Sequence, residues 1–161
     1  MEIVTERRAR VTLPSDTEIL ITRRFDAPPA LVYRAYTTPE LVRRWWVGQR
    51  GVMKSCEIDL RVGGKWRYVM EAHAGFEVAF HGVYEEIVPN AKLVSSDVFE
   101  GMPDARSRST ITFEDDGGGG TLLRILVDHP TKEHRDGHVA SGMEDGLQEA
   151  MDVLEGMLRP A

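Results

Sequence analysis

The sequence contains one cysteine, Cys56, in 161 residues, so no disulfide can form within the chain. A single thiol is typical of proteins in a reducing compartment. The chain also lacks any apolar run approaching the roughly 20 residues that a membrane-spanning helix needs. Charges are scattered through its first residues, which is not the pattern of a secretory signal. We therefore expect a cytoplasmic protein with no membrane span.

Basic residues are too few to outweigh acidic ones, because 20 Lys and Arg stand against 26 Asp and Glu, a formal net charge of −6. Nucleic-acid binding needs a basic face, so we expect no nucleic-acid partner. The one local exception, Glu6-Arg7-Arg8-Ala9-Arg10, is interpreted as part of a solvated N-terminal tail over residues 1–16. Residues 17–161 have the length of a single domain.

Two short helices are predicted directly after a first strand, Glu18–Phe25, which is rich in β-prone residues. In the segment Asp26-Ala-Pro-Pro29, the aspartate is predicted to cap the first helix and the prolines to occupy its first turn. The segment Thr38-Pro39-Glu40 repeats this start signal. It predicts a second helix that ends at Trp45-Trp46.

From Gly51 to His129 the apolar residues alternate with a period of two between turn residues. We predict six strands that pair consecutively, over residues 52–60, 64–73, 76–88, 91–99, 106–114 and 121–129. Helical spacing then returns and predicts one long helix from Thr131 to Leu158, in which glycines 137, 142 and 146 weaken the helix or mark a kink. The order β-α-α-β6-α defines a two-layer α+β fold, with a curved antiparallel sheet around a long C-terminal helix.

Eight short motifs occur in a characteristic order along the chain. They are Phe25-x-Ala27-Pro28, Val32-Tyr33-x-Ala35-Tyr36-Thr37-x-Pro39-Glu40, Trp45-Trp46, Asp59-x-Arg61-x-Gly63-Gly64-x-Trp66, Gly82-Val83-Tyr84-x-Glu86-x-Val88-Pro89, Thr110-x-Thr112-Phe113, Gly120-Thr121 and His138-x-x-x-Gly142-Met143. Through them the chain resembles the START-like (SRPBCC) superfamily, which has the helix-grip or Bet v1-like fold. Within it, the chain is similar to the bacterial homologues of the C-terminal domain of the Hsp90 ATPase activator. The resemblance covers about residues 17–158.

This resemblance implies a cavity between the sheet and the long helix. It implies no shared catalytic residue, because the superfamily contains both binding proteins and enzymes on one scaffold. The chain departs from many relatives at Gly142-Met143, where they have Gly-Trp, and at Val47-Gly48-Gln49, where they have Gly-Pro. Both departures are expected near the pocket, so the ligand preference of relatives does not transfer.

Aromatic and flexible apolar side chains are the expected walls of that pocket. Strand alternation places Trp66, Tyr68 and Met70 on one face. The full set of pocket candidates is Trp45, Trp46, Trp66, Tyr68, Met70, Phe80, Phe99, Met143, Leu147 and Met151. The alternative for each is close packing in an ordinary core.

Three further residues, His81, Asp97 and Arg124, are candidate polar groups of the pocket. Any that faces the cavity could act as a general acid or base, or orient a ligand. Their alternative is a structural or solvent-facing role, since strand bulges shift the alternation. Asp97 is the unusual one, because it interrupts a β-prone run.

We predict no catalytic residue, no metal and no cofactor. His134 and His138 have a metal-ligand spacing on a helix, with His129 nearby, but the polar surroundings favour a solvated helix start. The glycine runs 63–64 and 117–120 lie between predicted strands, as hairpin turns do, and lack the context of a phosphate loop.

The expected function is binding of an apolar or amphipathic small molecule in the cavity. One alternative is an enzyme of polyketide cyclase, dehydratase or hydrolase type, which needs at least two polar groups converging in the cavity. Another is a chaperone-associated or stress-related protein-binding domain, which needs an exposed apolar or charged patch. Self-association into a homodimer is left open.

Overall fold

A computed structural model describes residues 9–159 of the chain. Its elements are β1 (Arg10–Thr12), β2 (Glu18–Phe25), α1 (Pro29–Thr37), α2 (Pro39–Trp45), β3 (Gly51–Ile58), β4 (Lys65–Ala72), β5 (Glu77–Val88), β6 (Lys92–Phe99), β7 (Ser107–Asp115), β8 (Thr121–Asp128), α3 (Lys132–Ala140) and α4 (Met143–Leu158). The six strands predicted after the helix pair are all present, each within two residues of its predicted ends. The α+β class is confirmed.

All eight strands form one antiparallel sheet in the order β1-β2-β8-β7-β6-β5-β4-β3. Strands β3 to β8 follow one another as the predicted meander, and β2 joins the sheet beside β8. Strand β1 pairs with the free edge of β2, so residues 10–12 belong to the sheet although the sequence analysis placed them in a tail. Most of the basic segment Glu6–Arg10 lies outside the described residues.

Helix α1 starts later than predicted, with Pro28 rather than Asp26 at its N-cap position. A proline disfavours the helical conformation in the residue before it. Pro28 precedes Pro29 and accordingly has an extended backbone, with φ −68° and ψ 156°. Thr38 precedes Pro39 and is likewise extended, which separates α1 from α2 at the predicted place.

The predicted long C-terminal helix consists of two helices, α3 and α4, separated by Ser141 and Gly142. Gly142 has a φ of +83°, which glycine adopts without the steric cost that other residues meet. Thr131, where the helix was predicted to start, is the N-cap of α3, since its side chain accepts a hydrogen bond from the backbone N–H of His134. No helix within residues 9–159 has the length and hydropathy needed to cross a membrane.

One face of the sheet, called the inner face, packs against α4. Phe25 and Leu123 from the sheet lie in one buried cluster with Met151 and Leu154 from α4. Side chains alternate along a strand, and directly paired residues share a face. Phe25 and Leu123 fix the inner face on β2 and β8. The strand pairing then shows which residues of the other strands lie on the inner face and which on the outer face.

Candidate functional site

A group of five aromatic side chains, called the aromatic cluster, covers the part of the inner face formed by β4, β5 and β6. Its members are Trp46, Trp66, Tyr68, Phe80 and Phe99. The ring of Trp46 meets those of Tyr68 and Phe80 edge-on, at centroid distances of 5.2 and 5.3 Å. Tyr68 also contacts Trp66 at 4.8 Å, and Phe80 contacts Phe99 at 5.3 Å. The cluster brings together five of the pocket candidates from distant parts of the sequence.

The adjacent residue Trp45 has a different role from Trp46. Its side chain is buried, and its Nε1 donates a hydrogen bond to the carbonyl oxygen of Ala35 at 2.9 Å. Its ring also packs on Tyr36, at a centroid distance of 4.6 Å. Neighbouring helical residues point about 100° apart, so only one tryptophan of the pair can join the aromatic cluster. Trp45 is therefore a core residue that joins α1 to α2.

Helix α4 packs against the inner face of the sheet. Met143 and Leu147 pack against the main core but are only partly buried, whereas Met151 has no exposed surface. Met70 belongs to a second apolar cluster between α2 and β3, beside Met53 and the aromatic cluster. Of the pocket candidates on α4, Met143 and Leu147 near its start are therefore partly exposed, and Met151 farther along it is fully packed.

A carboxyl group also lies on the inner face. Asp97 of β6 accepts hydrogen bonds from Ser95 Oγ at 3.1 Å and from Ser109 Oγ of the neighbouring strand. Ser95 pairs with the core residue Tyr84, and Ser109 pairs with the core residue Val127, which places all three polar residues on the inner face. Burial raises the pKa of Asp97 to about 6, although the two serine hydrogen bonds act to lower it. The group can therefore change charge near neutral pH.

Two tyrosines lie on the same inner face of the sheet as Asp97. Burial raises the pKa of both Tyr68 and Tyr84, and the charge of Asp97 raises each further, so the three groups are close enough to interact. Neither tyrosine hydroxyl makes a hydrogen bond with another group of residues 9–159. Neither oxygen is among the fully buried polar atoms that lack a partner, so each keeps some accessible surface. Asp97 is itself only partly buried.

Two predicted polar groups, His81 and Arg124, do not lie on the inner face. His81 lies on the outer face, with its Nδ1 2.9 Å from Glu100 Oε2. Arg124 is exposed on that same face, and its Nε donates to Glu114 at 2.8 Å. The expectation that they line the pocket is corrected, because β-strand alternation turns both of them away from α4.

The outer face has an open groove of about 470 Å³ around His81. Its ionisable lining residues are Glu57, Lys65, Arg67, His81, Glu100 and Arg106. Arg67 binds Glu100 through two hydrogen bonds of 2.8 and 2.9 Å. Arg67 and His81 hold the pKa of Glu100 at about 2. The groove is therefore lined by solvent-facing polar and charged groups, among which Arg67 and Glu100 form an ion pair.

The histidines after β8 form a pair, but not the pair that helical spacing indicates. His129 Nε2 lies 3.0 Å from His138 Nδ1, and His134 is near enough to help lower the pKa of His129. Burial lowers the pKa of His129 to about 4, and His138 lowers it further. In the part of the chain that the structure describes, no three His, Cys, Asp or Glu side chains are grouped to hold a metal ion.

Cys56 is a buried free thiol below α2. Burial raises its pKa to about 11, so it is protonated at neutral pH. The reactive form of cysteine is the thiolate, so this side chain acts as an apolar packing group.

Sequence reasoning missed Tyr84, Ser95 and Ser109. Ser95 and Asp97 are two residues apart in one strand, which places both on one face. Their relation to Ser109 and Tyr84 follows only from the pairing of β6 with β7 and β5. The sequence did contain one sign of this arrangement. The alternating polar residues Ser107-x-Ser109 of β7 lie opposite Ser95-x-Asp97 of β6 in the β6–β7 hairpin.

Comparisons with known proteins agree with this architecture. The family model described as Activator of Hsp90 ATPase homolog 1-like protein matches residues 26–159. A solved structure of a Rhodobacter sphaeroides protein has a TM-score of 0.86 at 27% identity, and the match covers 93% of this chain and 97% of that chain. A Chromobacterium violaceum protein has a TM-score of 0.79 at 29% identity, over 91% of this chain and 100% of that chain.

A third solved structure, of a Mycobacterium smegmatis protein, has a TM-score of 0.84 over 94% of this chain and 97% of that chain. At 21% identity it is similar in fold alone. No curated protein matches the sequence. The helix-grip fold predicted from the motifs is confirmed by these structural matches.

Proposed function

The chain belongs to the family of Activator of Hsp90 ATPase homolog 1-like proteins, and from this premise we propose that it binds a hydrophobic small molecule. The binding site is the space between the aromatic cluster, on the inner face of the sheet, and the first turns of α4. Membership of this superfamily supports, in general terms, a ligand-binding or polyketide cyclase-like domain. We also propose a cytoplasmic location, because the sole cysteine is a free thiol.

The observation that carries this proposal is the incomplete burial of groups that lie between the inner face of the sheet and α4. Asp97, Tyr68 and Leu147 are only partly buried, although each faces the interior. In a filled core such side chains would be as closed as Met151, which has no exposed surface. Residual exposure on the inner face therefore supports an open space there.

The lining has the composition of a small-molecule site. Such sites combine a mostly apolar and aromatic wall with a few polar groups that orient the ligand. Here Trp46, Phe80 and Leu147 provide the apolar wall, and Asp97 and Tyr84 provide the polar groups.

The test is ligand binding with a variant that fills the space. Decanol, decylamine and decanoate are titrated into the unmodified protein, and binding is followed by thermal shift and tryptophan fluorescence. A ligand at about 100 times its dissociation constant adds about 2.7 kcal/mol, or roughly 5–10 °C in melting temperature for a domain of this size. Leu147→Trp should weaken binding by at least about tenfold, because the indole occupies the proposed site.

The control is Leu60→Trp, the same change at an exposed position between β3 and β4. It should leave binding unchanged. Binding of no probe to the unmodified protein, or equal binding by Leu147→Trp, would contradict the proposal. The assignment would then move to a protein partner, for which exposed Phe76 and Met102 are among the apolar groups available.

A second candidate function is catalysis in the same space, and the position of Asp97 favours it. A carboxyl group with a pKa near neutrality, next to tyrosine hydroxyls, can move protons at a substrate. Chromatography and mass spectrometry of bound molecules would detect their conversion. Loss of conversion with retained binding in Asp97→Asn would support the enzyme over the carrier.

A further inference from the structure

The geometry assigns the Asp97 carboxyl group as the polar anchor of the interior space, and we infer that the ligand is amphipathic with a hydrogen-bond donor at its polar end. A primary amine fits best and an alcohol second. This inference rests on the proposed function, because it concerns the ligand of the same site.

The first argument is the unused acceptor capacity of Asp97. An ionised carboxyl group has about four lone-pair sites for hydrogen bonds. Ser95 donates to Oδ1 and Ser109 to Oδ2, one bond to each oxygen. Within residues 9–159 no Lys, Arg or His forms an ion pair with Asp97. The carboxyl group therefore has acceptor sites and a negative charge that the described residues do not compensate.

The second argument is the cost of leaving that charge uncompensated. A partly buried carboxylate without a cation is unfavourable, and such groups concentrate at binding and catalytic sites. Neutral serine hydroxyls hold the carboxyl group in place without neutralising it. A ligand amine would supply both the charge and the missing donors in one charge-assisted hydrogen bond.

The third argument is the setting of the anchor. The faces of nearby aromatic rings attract cations, and Tyr68 is within electrostatic range of Asp97. Free hydroxyls on Tyr68 and Tyr84 can accept further hydrogen bonds from an amine or alcohol. A ligand carboxylate would instead be repelled by Asp97, so fatty acids should be poor ligands.

The test compares three probes of equal chain length: decylamine, decanol and decanoate. Isothermal titration calorimetry measures each with the unmodified protein above pH 7. Decylamine should bind at least about tenfold more tightly than decanoate, with decanol between them. In Asp97→Asn this preference should fall to less than about threefold, because the charge is lost while the shape is kept.

The matched control is Glu114→Gln, the same acid-to-amide change on the outer face. It should keep the preference of the unmodified protein. If Asp97→Asn does not fold, two measurements on the unmodified protein still test Asp97 as the anchor. They are the preference among the three probes and NMR titration of the Asp97 carboxyl carbon. Bound decylamine should lower the pKa of that group.

The outcomes separate the two proposals. Equal binding of all three probes, or an unchanged preference in Asp97→Asn, overturns the anchor and leaves the binding function intact. Failure of every probe to bind the unmodified protein overturns the binding function, and the anchor with it.

Discussion

The indole of Trp66 lies directly over Gly82, its cross-strand partner. A Cβ atom at position 82 would lie 2.6 Å from Trp66 Nε1 and 1.7 Å from the carbonyl oxygen of Ser96. The second distance involves backbone, which cannot rotate away. Glycine at this position is thus required by the close approach of the ring and the adjacent strand.

Gly82→Ala should therefore destabilise the protein by about 1–3 kcal/mol or more, as overpacking does. Urea unfolding followed by circular dichroism measures the change, and the emission of the tryptophans should shift. Gly146→Ala is the control, because no atom lies near a Cβ at that helical position. It should be neutral or stabilise α4 by up to about 1 kcal/mol. Equal stability of the two variants would show that Trp66 is not seated on Gly82.

Asp97→Asn should stabilise the protein at neutral pH. The pKa of Asp97 is raised from 3.8 to about 6 in the folded state by burial, so the folded state holds its proton more tightly than the unfolded state. The resulting stability is complete below pH 3.8 and is lost as the pH rises through about 6. Removing the charge should recover on the order of 1–2 kcal/mol above pH 7, after allowance for partial exposure.

Urea unfolding at about pH 7.5 and about pH 4 checks this, since the gain should shrink at the lower pH. Glu114→Gln should show no such pattern, because that carboxyl group is exposed and paired with Arg124. A variant that is less stable at both pH values would refute the expected charge effect. A stabilising change at a ligand anchor is the behaviour expected where function and stability compete.

The pair His129 and His138 should make the protein sensitive to acid. The pKa of His129 falls from 6.5 to about 4 in the folded state because of burial, with His138, His134 and Arg135 adding to the effect and Asp128 opposing it. A histidine that is kept neutral by the fold stabilises fully above pH 6.5, and this contribution is lost as the pH falls toward about 4.

His129→Gln should accordingly flatten the fall in unfolding free energy between these pH values, by on the order of 2 kcal/mol. Chemical unfolding across the pH range measures the slope. The exposed His73, changed to Gln, serves as the reference. Identical slopes in the His129 variant and the unmodified protein would count against the buried neutral state.

The strands could be predicted from the sequence because turn-forming residues mark their ends. Gly63-Gly64 and Pro89-Asn90 punctuate the meander, and Asn90 has the positive φ of 63° that such turns use. The helix break could not be placed among several glycines, because only the backbone shows that Gly142 is the one in the left-handed conformation.

The candidate site was predicted only within single elements. Alternation correctly placed Trp66 and Tyr68 on one face of β4. Relations between strands depend on register, which a bulge shifts between Tyr84 and Glu86. The sequence therefore could not tell that Asp97 faces the interior while His81, on the neighbouring strand, faces outward.

The last prediction concerns the buried ion pair that fixes α4 to the sheet. Arg23 of β2 is 3% exposed, and its Nη1 donates to Asp152 at 2.9 Å. Its Nη2 lies 3.8 Å from Oε1 of Glu155, which is also 3% exposed. Arg23→Met would leave the Glu155 carboxylate buried without its cation. The free energy of unfolding should fall by about 3–5 kcal/mol.

The double variant Arg23→Met, Glu155→Leu should be more stable than Arg23→Met alone, since it removes the orphaned charge. A double-mutant cycle in urea isolates this coupling from the loss of packing by either side chain. Asp152→Asn is the reference for the solvent-exposed end of the same network and should cost about 1 kcal/mol or less. Additive losses in the double variant would show that the two side chains do not compensate each other, and α4 would then be held mainly by its apolar contacts with Phe25 and Leu123.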